Sequence, residues 1–294
     1  MNKHAILLVA YKNIEQIHEY IDLLDEDFDF YIHIDKKSKI SEERIDKLRK
    51  IKNVKFAESY YKVNWGGKKF IDILLFLAKV ALKDKDIKYL HTSSESDLPL
   101  KSPKYIKEFF IKNDGKQFMD IFSLPDKRWP NGGLDRFNKY HFYDKFNAKT
   151  KIGFKIIMSL LKIQSVLGVN RNVTKKMPPL YGGSTWVSLT YSCMEYAVNY
   201  ADENSEFMKS LENTFAPEEI YFQTVLMLSP FRKDLVEKHL FYIDWEFRNG
   251  NSPANLDISD LDKLKESKKL FARKIQSPIS YSLKIELIKH LKNE

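Results

Sequence analysis

The sequence predicts an α/β fold built on a doubly wound, mostly parallel sheet with helices on both faces. Short apolar runs alternate with segments of helical periodicity from the N-terminus to about residue 122. The apolar runs are continuous, as expected for strands that helices cover on both faces. The resulting βαβαβ order joins the strands through helical crossovers, which make neighbouring strands parallel.

The strands of this part are each marked by an apolar or β-branched run. In chain order they are residues 5–11 (AILLVAY), 28–35 (FDFYIHID), 54–59 (VKFAES), 88–94 (KYLHTSS) and 117–122 (QFMDIF). Runs of this length and composition are typical of buried strands.

Four helices are predicted between these strands, over residues 14–24, 41–50, 68–83 and 102–113. The first carries isoleucine and leucine at helical spacing, and the second begins with a serine N-cap and an acidic first turn. The third is strongly apolar along its length, and the fourth has a proline in its first turn, where proline is well tolerated.

Polar side chains follow several of the predicted strands, and ligands of doubly wound sheets bind at that edge. They are Asp35, Ser94, Glu95, Asp97 and Asp120. Each one alone is equally well explained as a helix-capping or turn residue, but together they outline a site. Glu95 and Asp97 stand two residues apart, so they are also a candidate clamp for a divalent metal.

The second half of the chain carries three further candidates. Residues 151–176 predict a basic amphipathic helix, either a membrane-surface contact or, as we favour, a packed helix with a lysine-rich outer face. Glu218 and Glu219 open a helical run, where the helix dipole stabilises them or one of them serves as a general base. Arg273 and Lys274 form either a solvated basic turn or a cationic clamp for a diphosphate.

Composition excludes several classes of protein. The formal net charge of +9 favours anionic partners, and the single cysteine, Cys193, excludes an intrachain disulfide and favours a reducing compartment. The N-terminal apolar run is too short for a membrane span, so a soluble or peripheral protein is expected. The sequence has no P-loop, GxGxxG, GxSxG, zinc-spacing or nucleic-acid-binding motif, and no nucleic-acid partner is expected.

A series of blocks resembles the core-2/I-branching β-1,6-N-acetylglucosaminyltransferase and peptide O-xylosyltransferase family, glycosyltransferase family 14, in a bacterial form. The blocks occur in the order of that family: AILLVAYKN, FYIHIDKKS, KVNWGG, HTSSESDLPLKS, GGSTWVSLT, APEEIYFQT, FYIDWE and LFARKI. The resemblance implies a GT-A-like fold over a single domain, residues 1–294. Residues 1–124 are expected to bind the nucleotide-sugar, and residues 125–294 to bind the acceptor and carry catalysis.

The resemblance also implies an inverting transfer from a UDP-sugar, with N-acetylglucosamine or a similar sugar as donor. It makes Glu219 the catalytic base and places Trp186, Glu218 and Trp245 on the acceptor side. For the donor side it implies Asp35, Trp65, Asp97 and Lys274, together with an arginine for which Arg248 and Arg273 both remain candidates. No metal and no other cofactor is expected, because an arginine and a lysine neutralise the diphosphate in the family.

Three hypotheses follow for function. The first is a metal-independent glycosyltransferase that acts in bacterial surface polysaccharide synthesis on an oligosaccharide or lipid-linked glycan. The second is a metal-dependent enzyme that uses Glu95 and Asp97, and the third is a non-catalytic nucleotide- or glycan-binding protein. For the first, we expect a cytoplasmic location with a peripheral contact to the inner face of the plasma membrane.

Overall fold

A computed structural model of the protein describes residues 3–293. In chain order its strands are β1 (Lys3–Ala10), β2 (Phe28–Ile34), β3 (Val54–Glu58), β4 (Ile87–Ser94), β5 (Leu98–Pro99), β6 (Gln117–Phe118), β7 (Phe122–Ser123), β8 (Tyr181–Gly182), β9 (Ser188–Thr190), β10 (Leu235–Val236), β11 (Phe241–Ile243) and β12 (Phe271–Arg273). Its α-helices are α1 (Ile14–Asp22), α2 (Glu42–Arg49), α3 (Lys69–Ala81), α4 (Pro103–Lys112), α5 (Asp135–Asn138), α6 (Lys151–Val166), α7 (Tyr191–Glu203), α8 (Ser205–Ser210), α9 (Tyr221–Met227), α10 (Leu261–Glu266) and α11 (Tyr281–Leu291).

The central sheet has seven strands in the order β10-β6-β9-β4-β1-β2-β3. Strands β1 to β4 are parallel to their neighbours within this group, and Leu8 of β1 is paired with Ile32 of β2 and with Ser93 of β4. Strand β9 runs antiparallel to both β4 and β6. The predicted mostly parallel sheet is confirmed, and its antiparallel strand comes from the second half of the chain.

Helices cover both faces of this sheet, as predicted. Along β1, Ile6 and Leu8 belong to one buried core with residues of α1, α2, α4 and α11. The alternate residues Ala5 and Leu7 belong to a second core, on the other face, with residues of α3, α7 and α9. Because successive strand side chains point to opposite faces, a continuous apolar run is what this two-sided burial requires. Each fully buried leucine contributes about 1.5–3 kcal/mol.

The caps of the first helices also agree with the sequence. The Asn13 side chain accepts a hydrogen bond from the backbone N–H of Gln16 at the start of α1. The Ser102 side chain does the same for Tyr105 in α4, which has its proline in the first turn. Ser41 occupies the N-cap position of α2 without such a side-chain bond.

The predicted strand 117–122 is wrong as a single element. Its two ends form β6 and β7, which belong to different sheets. Between them the backbone passes Gly183 so closely that a Cβ on this glycine would lie 1.9 Å from the carbonyl oxygen of Asp120. Within the block GGSTWVSLT, Gly182 ends β8 and Ser188–Thr190 form β9.

A small second sheet brings the C-terminal part of the chain to the site. Strand β12 is parallel to β11 and antiparallel to β5, the short strand that follows β4. Arg273, the last residue of β12, therefore lies beside the carboxyl end of β4.

The predicted basic helix begins where expected but ends earlier, at Val166. Gly168 follows with φ of 63°, a left-handed conformation that ends helices. Among the helices of residues 3–293, none combines the length and apolar character that a membrane span requires.

Candidate active site

Asp97 and Arg273 face each other in the buried centre of the site. Asp97 is fully buried, and its Oδ2 accepts hydrogen bonds from the Ser94 N–H (2.7 Å) and the Ser93 hydroxyl (3.2 Å). Its other oxygen, Oδ1, is 3.3 Å from Arg273 Nη1. Burial raises the pKa of the Asp97 carboxyl, while the charge of Arg273 opposes that shift. The pair thus links the end of β4 to the end of β12.

The buried Arg273 guanidinium has nitrogen atoms that donate no hydrogen bond to the described part of the chain. Its carbon lies 3.7 Å from the centre of the Trp186 ring, and the residue is 7% exposed. Within residues 3–293, Arg273 Nε and Nη1 donate no hydrogen bond. Buried donors of this kind are costly unless a partner completes them, so an anionic ligand is the expected partner.

Trp186 supports this arginine from behind. Its ring is 9% exposed and packs against the ring of Phe241 at 5.5 Å. The ring also makes the cation–π contact to Arg273. These contacts favour a positioning role over the acceptor contact that the sequence predicted.

Lys274 is the next residue along the chain and has a free ammonium group. Within the part of the chain that the structure describes, its side chain makes no hydrogen bond or ion pair. Burial lowers the pKa of Lys274 to about 8, and the charges of Arg273 and Lys149 add to this effect. An anion bound here would reverse the shift, because an opposite charge favours the protonated amine.

Two lysine side chains lie near the ring of Tyr11, just beyond the end of β1. The ammonium groups of Lys37 and Lys149 lie 6.0 and 5.9 Å from the centre of the Tyr11 ring. Lys149 also acts electrostatically on Lys274, so these side chains share one positive region. Sequence reasoning missed Lys149, because its segment carries no motif and no periodic signal.

Asp35 lies at the same edge of the sheet, directly after the end of β2. It is 4% exposed, its Oδ1 accepts from the Lys37 N–H (2.9 Å), and its Oδ2 lies 3.4 Å from Lys37 Nζ. Lys37 Nζ also donates to the side chain of Asn64 at 2.6 Å. This contact connects the donor-side residues to the loop that carries Trp65.

Glu95 is bound by the backbone. Its Oε2 accepts hydrogen bonds from three successive N–H groups, those of Tyr11 (2.7 Å), Lys12 (2.7 Å) and Asn13 (2.9 Å). These groups lie at the N-terminus of α1, where a negative charge is stabilised. Glu95 therefore anchors the β1–α1 connection.

The two carboxylates of the candidate metal clamp do not fit a metal as they stand. Glu95 Oε2 already accepts three backbone hydrogen bonds. Asp97 accepts hydrogen bonds from the Ser94 N–H and the Ser93 hydroxyl and forms an ion pair with Arg273. Within residues 3–293, no group of three or more His, Cys, Asp or Glu side chains is arranged to hold a metal ion. A divalent cation at Asp97 would also meet the guanidinium of Arg273.

Glu219 lies on a different loop and is partly exposed. It ends the 3-10 turn Pro217–Glu219, and its Oε2 accepts from Arg136 Nη1 at 2.7 Å. Its backbone carbonyl accepts from the N–H of Gly183 at 2.9 Å, so the close approach that requires this glycine also fixes the turn. Sequence reasoning missed Arg136, which lies in the aromatic, turn-rich segment after residue 125.

Arg136 is itself held in place. Its guanidinium carbon lies 3.5 Å from the centre of the Trp129 ring and 5.1 Å from that of Phe215. The Glu219 carboxylate therefore sits on a rigid cationic support while one side of it remains open to solvent, at 31% exposure.

Glu218 differs from Glu219 in its surroundings. It is 7% exposed, and within the described residues its Oε2 has no hydrogen-bond partner. Burial, and then the negative charge of Glu219, raise the pKa of Glu218 to about 8. Glu218 is thus a protonated, buried acid at neutral pH beside the partly exposed carboxylate of Glu219.

Trp65 stands next to this glutamate turn. Its ring is 55% exposed and meets the rings of Tyr143 and Phe215 edge-on, at 5.9 and 5.4 Å. The carbonyl of the next residue, Gly66, accepts from the N–H of Ala216 at 2.9 Å. The loop of Trp65 therefore bridges the donor-side residues and the Glu218–Glu219 turn.

Trp245 and Arg248 lie on the loop after β11, and the end of this loop forms backbone hydrogen bonds with Lys274. Trp245 is 58% exposed, and a flat exposed ring of this kind suits stacking on a sugar. Arg248 is bound by three carboxylates, those of Asp244, Asp257 and Asp260, at 2.7 to 3.0 Å. These contacts favour a structural role for Arg248, and Arg273 is then the better candidate for the arginine of the donor side.

A protein-family model matches most of the sequence. The model of the Core-2/I-Branching enzyme family matches residues 5–267, which include the candidate residues up to Trp245 and Arg248. The chain belongs to the Core-2/I-branching enzyme family. The resemblance to this family is confirmed, and the predicted α/β fold with its mostly parallel sheet is confirmed as well.

Core-2/I-branching relatives of the chain include xylosyltransferases. It is 25% identical over 305 residues to a xylosyltransferase of Ciona intestinalis, with 97% of this chain and 33% of that protein covered. It is 25% identical over 272 residues to Xylosyltransferase 2 of Canis lupus familiaris, with 85% of this chain and 29% of that protein covered. The chain spans about a third of the length of these relatives.

Among solved structures, the chain is similar to mouse Xyloside xylosyltransferase 1 in its apo form. The TM-score is 0.36 with 9% sequence identity, and 95% of this chain and 99% of that chain are covered. A likeness at this level adds nothing to the family assignment, which rests on the sequence.

Proposed function

We propose that the chain is an inverting glycosyltransferase that moves a sugar from a UDP-sugar to a hydroxyl group of a glycan. The observation that carries the proposal is the positive region formed by Arg273 and Lys274 at the carboxyl edge of the sheet. It offers buried guanidinium nitrogens that donate no hydrogen bond and a free ammonium group. The loop of Trp65 connects this region to the turn with the partly exposed Glu219 carboxylate. Membership of an enzyme family whose named relatives transfer xylose supports the same reaction class.

The proposed reaction is a single in-line displacement. The acceptor oxygen attacks the anomeric carbon, its proton passes to the Glu219 carboxylate, and the bond from that carbon to the diphosphate oxygen breaks. The leaving UDP gains negative charge, which Lys274 and Arg273 neutralise. Arg136 orients Glu219 for the proton transfer by holding its second oxygen.

We propose further that the reaction needs no metal. Glu95 Oε2 accepts three backbone hydrogen bonds, and both oxygens of Asp97 face serine or arginine partners. In this proposal the cations of the site supply the charge that a metal would supply. The metal-dependent hypothesis stays the alternative, and a chelator separates the two.

The proposed donor is UDP-N-acetylglucosamine or a similar UDP-sugar, and UDP-xylose is the alternative that the relatives' names support. The proposed acceptor is an oligosaccharide or lipid-linked glycan in bacterial surface polysaccharide synthesis. A cytoplasmic location, peripheral to the inner face of the plasma membrane, belongs to the same proposal.

A UDP-release assay on the full chain tests the proposal. A panel of UDP-sugars is offered with excess EDTA, and again with Mn²⁺. We expect release with at least one donor that EDTA leaves unchanged and that Glu219→Gln abolishes while UDP binding persists. Turnover that EDTA removes and Mn²⁺ restores would refute the metal-free reaction, and UDP-sugar binding without turnover on any acceptor would favour a non-catalytic protein.

A further inference from the structure

Helix α6 exposes an apolar surface that no other part of the described chain covers. Ile152 is 74% exposed, Ile163 52% and Val166 79%, and the half-buried Ile156 lies in the same row. These residues recur at spacings of four, seven and three, so they form one stripe along the helix. Phe154 and Met158 are exposed on the opposite flank.

A row of lysines lies between these two apolar flanks. Lys151, Lys155 and Lys162 are all exposed, and their spacing of four and seven places them on one line of the helix. We call the two flanks and this row together the α6 face. The sequence favoured a packed helix with a lysine-rich outer face, and the structure shows these exposed lysines together with exposed apolar residues on the outward side.

The helix is fixed with this face outward. Its inward side consists of Gly153, Ile157 and Gln164, which are buried. The Gln164 amide accepts from the Tyr140 N–H (2.8 Å) and donates to the Tyr140 carbonyl (3.0 Å). A Cβ on Gly153 would lie 2.2 Å from the carbonyl oxygen of Asn147, so this side cannot turn outward or accept a larger residue.

The exposed side chains serve no core. Among the described residues, neither of the two cores that flank the sheet includes a side chain of α6. Contiguous exposed apolar surface beside polar residues marks an interaction site in soluble domains.

Charge decides which partner fits. The sequence has eight lysines or arginines from residue 145 to residue 176 and no acidic residue between Asp144 and Glu195. A second copy of this chain, docked through the same face by two-fold symmetry, would bring two lysine rows together without a carboxylate to pair them. An anionic lipid surface instead complements the lysines and takes up the apolar flanks.

We propose that the α6 face docks the protein on a membrane surface that contains anionic lipids. The helix lies in the interface, with its apolar flanks below the headgroups and its lysines among them. Lys149, two residues before α6, lies 5.9 Å from the centre of the Tyr11 ring and acts electrostatically on Lys274, so α6 directly follows the positive region of the site along the chain. The docking itself needs no sugar transfer, and its test stands whether or not the proposed function does.

Vesicle flotation of the full chain tests the docking. We expect binding to vesicles of equal parts phosphatidylcholine and phosphatidylglycerol, weakened by added salt, and no binding to phosphatidylcholine alone. Replacing Lys151, Lys155 and Lys162 with Gln should weaken binding by about a hundredfold. The matched control removes three exposed lysines from α4 and α11, Lys104, Lys112 and Lys289, and should bind nearly as well as the wild type.

The apolar flank has its own matched pair. Ile152→Gln with Ile163→Gln should also remove binding, whereas Ile111→Gln with Ile285→Gln, at exposed positions of α4 and α11, should not. The proposal would be overturned if the wild type did not bind the anionic vesicles. It would also be overturned if the control variants of α4 and α11 lost as much vesicle binding as the corresponding α6 variants.

A fluorescent probe distinguishes lipid from a second copy. Cys193 is buried and is the one cysteine of the chain, so Val166→Cys can be labelled selectively with an environment-sensitive dye. We expect a blue shift on adding anionic vesicles, and none from the same dye at Ile111→Cys. A blue shift at Val166→Cys that follows protein concentration without lipid would overturn the proposal in favour of self-association.

Discussion

Arg273 Nη1 lies 3.3 Å from Asp97 Oδ1, and both side chains are buried between the ends of β4 and β12. The two residues are 176 positions apart in the sequence. Asp97 stands where a pair of strand-end carboxylates would hold a metal, and here its partner is a cation of the protein. The pair therefore bears both on the stability of the fold and on the chemistry of the site.

Removing Asp97 should destabilise the protein strongly. Asp97→Asn leaves the buried Arg273 charge uncompensated, and we expect a loss of about 3 kcal/mol in the free energy of unfolding. Urea denaturation measures this loss. Asp262→Asn, at an exposed position of α10, is the matched control and should change stability by less than about 0.5 kcal/mol. If Asp97→Asn lowered the free energy of unfolding no more than Asp262→Asn does, the Asp97–Arg273 pair would not stabilise the fold.

Glu95 should matter for its acceptor oxygen. Glu95→Ala leaves the three N–H groups of Tyr11, Lys12 and Asn13 without their partner, and we expect a loss of about 3 kcal/mol. Glu95→Gln keeps an oxygen at that position and should lose less than half as much. Thermal or urea unfolding of the two variants measures the difference. Equal losses would mean that the carboxylate charge, rather than the hydrogen bonds, is what the loop requires.

The sequence predicted the first half of the fold because its signals are local. Continuous apolar runs, N-caps and helical spacing all lie within one element, and β1 to β4 and α1 to α4 end within a few residues of the predicted bounds. The break between β6 and β7 depends on the approach of Gly183, more than 60 residues further on, which no local pattern records.

The sequence predicted those site residues that belong to a local motif. It did not predict those that reach the site only through long-range contacts. Glu219 and Lys274 stand in recognisable blocks. Arg136 and Lys149 gain their place only because the turn-rich segment after residue 125 folds back on the sheet edge. The role of Glu95 likewise rests on hydrogen bonds to residues 82 to 84 positions earlier.

Glu218 should make the protein less stable as pH rises from about 4.5 to about 8. Its pKa is raised to about 8 in the folded state, so the folded protein keeps a proton there that the unfolded chain releases above about 4.5. Unfolding then releases a proton, and stability falls by up to about 1.4 kcal/mol per pH unit in this window. Glu218→Gln should remove this part of the decline. Urea unfolding at a series of pH values measures it, and parallel curves for the two proteins would contradict the prediction.

Lys274 should make UDP binding weaken above pH 8. Because the pKa of Lys274 is about 8 in the free protein, its amine is mostly neutral above pH 8. It must then take up a proton before it can pair with a diphosphate. We expect the affinity for UDP to fall by up to about tenfold per pH unit above that value. Calorimetry from neutral to alkaline pH measures the slope. Lys274→Arg keeps the charge and should flatten the curve, and a slope that survives in Lys274→Met would assign the titration to another group.

Arg136 should act on the rate of transfer and not on donor binding. Its guanidinium contacts the rings of Trp129 and Phe215 and donates to Glu219 Oε2 at 2.7 Å, so its role in the proposed reaction is to orient the base. We expect Arg136→Gln to lower kcat by about a hundredfold, within the range attributed to a positioned general base, while the Kd for UDP changes little. Arg136→Lys should recover part of the rate, because an ammonium group can donate to the carboxylate but cannot stack as a plane on the Trp129 ring. The informative comparison is with Lys274→Met, which should raise the Kd for UDP. If Arg136→Gln weakens UDP binding as much as Lys274→Met does, Arg136 belongs to the donor side, and the separation of the site into a cationic donor region and a carboxylate turn is wrong.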